Sequence, residues 1–142
     1  MLQLVLNLVA TCVMVGVIWF VQLLHYPLLA LIGVDRAPAI AVEHQRRTAW
    51  VVGLPMATEG VTTLVLLFSR PDGVATWLPW LGAALLAVAL ASTVFLSVPL
   101  HERMANSPDP TVGRRLVVTN WPRTIAWSAR AVVAGAMLAQ AI

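Results

Sequence analysis

The chain reads as an all-α integral membrane protein, a four-helix bundle whose interior is polar in its cytoplasmic half. Three observations lead there. Of its 142 residues, 60% are hydrophobic and only 11% charged, with mean hydropathy +0.86, whereas a soluble domain carries roughly a quarter charged residues. Four apolar stretches match the roughly 20 residues that a bilayer-spanning helix needs. The few polar residues inside those stretches recur three or four apart, on one face of each helix.

The chain is expected to form a single domain over residues 1–142. The first helix is predicted over 2–34, with Pro27 placed to kink or end it. Its Cys12 is the only cysteine, so no internal disulfide can form. The start of the chain has no basic region, and the apolar run is too long for a cleavable signal peptide, so none is expected. The second helix is predicted over 48–68 and the third over 77–100. The fourth spans 121–142, with Thr119 or Asn120 as N-cap and Pro122 in the first turn, where its missing N–H costs nothing. In the first long link, "PAIAVEHQRRT" is expected to make a short interfacial helix. In the second, "SPDPTVGRRLVVTN" has a start signal at Asp-Pro and a helical run after it. The link between the second and third helices is a tight turn at "RPDG".

The chain has no lysine. Arg36, Arg46, Arg47, Arg103, Arg114, Arg115 and Arg123 fall in or beside the two long links, and only Arg70 lies in the short one. Basic loops stay in the cytoplasm. Both termini are therefore expected to face outward, from a membrane such as the bacterial inner membrane. The pI of about 10.5 is then a topology signal. It does not mark a nucleic-acid partner, because no basic surface interleaved with aromatics is left over. There is no glycine-rich phosphate loop and no nucleophile constellation. Ser92, Ser97 and Ser128 are of the kind that hydrogen-bond between membrane helices.

The polar stripes locate the working part. The first helix carries Asn7, Thr11, Gln22 and His25. The second carries Pro55, Met56, Glu59, Thr62 and Thr63, the third Thr93, Ser97 and His101, and the fourth Asn120, Arg123, Thr124, Trp127 and Arg130. At 1.5 Å per residue, His25, Glu59 and Arg130 each fall roughly 13 Å in from the arginine-rich side. Glu59 and Arg130 are expected to pair, since a lone charge there is costly. In the outer half, Ala83, Ala87 and Ala91 face Ala131, Gly135 and Ala139 as small-residue stripes that let helices approach, within the bundle or in a homo-oligomer.

Intramembrane ionisable groups point to function by default. His25, Glu59 and His101, with His44 folding over the top, are ligand types for iron, copper or zinc, of which iron or copper is the expected cofactor. A haem between two histidines fits less well, because His25 and His101 differ in depth. Glu59, Arg130 and Arg123 are the candidate catalytic groups, with Trp127 and Asn120 against a substrate. The alternative use of the same residues is a Glu–Arg–His network that only fixes helix packing.

Three stretches, "HYPLL" at 25–29, "VPLHERMA" at 98–105 and "RRLVVTNWPRTIAWSAR" at 114–130, resemble a family of small four-helix membrane proteins related to fungal anthrone oxygenases. The resemblance implies an oxidative role on a lipophilic aromatic substrate. Two main readings follow. One is a membrane-embedded, metal-dependent oxidoreductase or oxygenase acting on a lipophilic aromatic or quinone-like molecule reached from the bilayer. The other is a non-enzymatic accessory subunit of a larger membrane complex. A small transporter is disfavoured, since the outer half has no continuous charged path.

Overall fold

The computed structural model describes residues 1–142, and the chain is all-helical. Helix α1 spans Leu2–Leu29, α2 Ala37–Phe68 and α3 Trp77–Asn106. A short α4 covers Val112–Thr119, and α5 covers Trp121–Gln140. The four long helices form an up-and-down bundle in which α5 packs on α1 and α3, and α1 packs on α2. Three of them, α1, α2 and α3, are long and apolar enough to cross a membrane. The polar face of α5, with Arg123 and Arg130, keeps its composition below that level.

Two helices are widened by π turns, Val21–His25 in α1 and Thr93–Ser97 in α3. Each ends two residues before a proline, Pro27 or Pro99. Proline cannot donate to the carbonyl of the preceding turn and clashes with it. An i→i+5 turn relieves both problems without ending the helix. Helix α1 therefore continues past Pro27, but it stops at Leu29, short of the expected position 34. The "PAIAVEHQRRT" segment is not a separate helix. It is the first part of α2, so His44 lies within a long helix and not in a link. Helix α3 continues past residue 100 and carries His101 within its last turns.

Three apolar layers fill the bundle. The one at the end away from α4 contains Leu4, Leu66, Leu78, Val133 and Met137, and the middle one Met14, Ile18, Ala89, Ala126 and Trp127. At the arginine-rich end, Tyr26, Leu29, Ala41, Met104 and Leu116 pack under α4. Large side chains such as Trp50, Leu54, Phe68, Phe95 and Val132 cover the outside, each more than 70% exposed. An apolar surface of this extent is not stable against water.

The small-residue stripes do not form the α3–α5 contact as expected. Ala87, Ala91 and Ala139 are exposed. The contact runs instead through Gly82 against Arg130 and Val133, with Leu78 clustered with Val133 and Ala134 and Ala89 with Ala126 and Trp127. A rotation of α3 by about one residue, 100°, is enough to exchange these faces. At the opposite end from α4, Gly73 adopts φ 84°, and a Cβ there would lie 2.7 Å from the Gln140 carbonyl oxygen. Gln140 Oε1 also accepts from the Ala75 N–H at 2.8 Å, which pins the end of α5 to the short link.

Candidate functional site

The polar stripes meet as two separate networks. The deeper one centres on Glu59, which is fully buried. Its Oε1 accepts from Arg130 Nε at 2.6 Å and from the Thr11 hydroxyl at 2.8 Å. Its Oε2 accepts from Trp127 Nε1 at 3.0 Å. Arg130 donates further to Thr63 Oγ1 at 2.6 Å and to the Gly82 carbonyl. Asn7 donates to Thr62 Oγ1 at 2.8 Å. All four long helices contribute, and both charges are compensated. The expected ion pair is present, with side chains 2% and 0% exposed.

The second network lies nearer the arginine-rich end and gathers all three histidines of the chain. His25 Nε2 and His44 Nδ1 are 2.7 Å apart. The His44 ring stacks on His25 and lies against His101, with centroids 4.6 Å away in both cases. Tyr26 Oη lies 2.9 Å from His101 Nε2 and 3.0 Å from Arg123 Nη2. Arg123 has only donors, so the tyrosine oxygen accepts from it. The tyrosine proton is then free to go to His101 Nε2. In a neutral imidazole this leaves the proton on Nδ1, a buried atom that has no hydrogen-bond partner.

Arg123 is held by neutral groups only. Besides Tyr26, it donates to Asn120 Oδ1 and, at 3.5 Å, to Thr93 Oγ1. Asn120 is in turn fixed by donating to Gln22 Oε1 at 2.9 Å, and Gln22 donates to the Val117 carbonyl at 3.1 Å. The chain's ion pairs are Glu43 with Arg46 and Arg47, Asp109 with Arg103, and Glu59 with Arg130. Arg123, 7% exposed, has no carboxylate partner.

Two adjoining cavities open beside this network. The inner one, about 90 Å³, is lined by Tyr26, His44, Thr93, Arg123, Trp127 and Met56, among others. The outer one, about 210 Å³ and wider at its mouth, lies between α1 and α2 beside Phe20, His25, His44 and Arg47. Together they reach the lower end of the usual range for small-molecule sites, about 300–1,000 Å³.

Several expectations are revised by this geometry. Glu59 and Arg130 do not line the cavities and are bonded to each other, so a catalytic part for them finds no support in their placement. Asn120 is fully buried and orients Arg123 without facing the inner cavity. Trp127 does form a wall, and its indole N–H ties that wall to Glu59. The set His25–Glu59–His101 is not assembled, because Glu59 belongs to the other network. Helix α1 ends at Leu29, so His25 is only about 6 Å from its end, near the level of His101 rather than that of Glu59. The histidines also do not converge as ligands. Two nitrogens sharing a tetrahedral ion at 2.0–2.1 Å would stand roughly 3.3 Å apart, and a 2.7 Å contact between neighbouring rings is a hydrogen bond. No group of three or more His, Cys, Asp or Glu side chains is arranged to hold a metal ion in this conformation.

Tyr26, Thr48 and Gly82 carry no expected role in the sequence. Tyr26 is the only tyrosine and follows His25 directly, which is the one signal that was available.

No protein-family model, curated protein or solved structure matches the chain.

Proposed function

We propose that the chain is an integral membrane protein whose inner cavity binds a lipophilic aromatic or quinone-like molecule through a polarised or anionic oxygen, and exchanges a proton with it. Arg123 carries this reading. A buried guanidinium on a cavity wall, supplied with neutral acceptors but no carboxylate, leaves a positive charge to be met by a ligand. Trp127, Met14 and Met56 line the same inner cavity and suit a flat apolar ring. Tyr26 and His44 supply groups that can donate or accept a proton at the oxygen. Oxidoreduction of a quinol or phenol is the reaction class such proton exchange would serve, with electrons supplied by a partner.

An alkyl-substituted 4-nitrophenol, whose phenolate is coloured, tests the site. Bound to the purified protein in detergent, it is expected to ionise at lower pH than in empty micelles. Arg123→Gln should weaken binding of the phenolate by about 10- to 150-fold, the loss of a charge-assisted hydrogen bond of about 1.5–3 kcal/mol. The corresponding methyl ether should bind wild type and variant alike. Equal affinity of wild type for phenol and ether would overturn the proposal.

The arginine bias supports an orientation with both termini outside and the histidine cluster near the cytoplasmic face. Alkaline phosphatase fused after Ile142 should be active, and a fluorescent protein that folds only in the cytoplasm should stay dark. The reverse pattern would invert the placement of the site.

A further inference from the structure

The two cavities share four wall residues, Val17, Val21, His44 and Thr48, and only His44 can titrate. Its Nδ1 is engaged on the outer side, 2.7 Å from His25 Nε2 and 3.2 Å from Thr48 Oγ1. Its Nε2, on the opposite edge of the ring, has no protein hydrogen bond. Beyond it, His25 is partly exposed and lines only the outer cavity.

We infer that His44 and His25 form a proton relay between a ligand in the inner cavity and water in the outer one. This rests on the ligand site proposed above. The ligand's O–H bond breaks as its proton passes to His44 Nε2, and the electron pair stays on the oxygen beside Arg123. The Nδ1 proton of His44 moves to Nε2 of His25, and His25 releases its own Nδ1 proton to the outer cavity. Uptake runs the same path backwards, which restores both tautomers. The groups facing His44 suit a site that passes protons on without storing charge. They are His25 and Tyr26 from α1, His101 from α3 and Arg123 from α5. On its own helix, Glu43 and Arg47 are paired with each other. His101 is not in the path. It faces Tyr26, and it lines neither cavity.

A stopped-flow pH jump on the full chain loaded with the alkyl-nitrophenol separates the relay from the site. In His25→Gln the colour change of the bound probe is expected to slow by at least about tenfold, with affinity retained, because His25 does not line the inner cavity. Added imidazole should restore the rate there, through the open outer cavity, and should not restore it in His44→Gln. Val51→Trp, which fills the outer cavity from its rim, should slow the same step without altering a ring. It serves if a histidine variant does not fold. Wild-type rates in His25→Gln and Val51→Trp with the probe bound would overturn the relay and leave the ligand site standing. Failure of the wild type to bind the probe would overturn both. A stoichiometric metal ion in the wild type that is lost in His44→Gln would overturn the relay as well.

Discussion

Glu59→Gln is expected to destabilise the protein by about 3–5 kcal/mol, and Arg130→Gln by a similar amount, while the double variant loses clearly less than the sum. Three donors, from Thr11, Trp127 and Arg130, converge on the two carboxylate oxygens. Glutamine offers one acceptor and turns an NH₂ group toward donors. It also leaves the Arg130 charge uncompensated where neither side chain is more than 2% exposed. With both changed, no bare charge remains in the network. Denaturant unfolding of the two single variants and the double variant in detergent measures the coupling. Strictly additive losses would show that the pair contributes no interaction of its own.

Gly113→Ala is expected to cost about 1–3 kcal/mol, as overpacking does, and to loosen α4 in particular. A Cβ at Gly113 would overlap the backbone of Ala30 at the end of α1, which cannot move aside as a side-chain tip can. Val112 and Leu116 on the same short helix cover Tyr26, Leu29 and Met104. Lifting α4 therefore uncovers the histidine cluster as well. Hydrogen exchange over residues 112–119 should rise well before exchange in α5. Wild-type protection of that segment would show that the close approach carries no stability.

The polar stripes were legible because facing is a local property. With 3.6 residues per turn, Asn7, Thr11 and Gln22, or Asn120, Thr124 and Trp127, must share a side whatever the rest of the chain does. Burial of those six and pairing of Glu59 with Arg130 follow from that periodicity and from the cost of bare charge in an apolar interior. Where the helices end is less local. It turned on how two prolines are absorbed: the π turns before Pro27 and Pro99 keep α1 and α3 helical. The early stop at Leu29 and the long start of α2 at Ala37 then bring His25 and His44 to one level.

Composition and periodicity alone were enough for the all-α bundle, its apolar exterior and an inward row of polar groups. Depth counted along each helix matched Arg130 to Glu59, but it left Arg123 and Arg130 with the same candidate catalytic role. Both stand on one face of α5, seven residues and so about 10 Å apart along the axis, and both are arginines beside a tryptophan-rich turn. The register of α2 against α5 decides between them. It sets Glu59 at the level of Arg130 and leaves Arg123 beyond reach of any carboxylate. One arginine thereby becomes part of the lock that ties four helices together, and the other an unmatched charge on a cavity wall. That difference comes from the axial offset between helices far apart in sequence, which no single helix encodes.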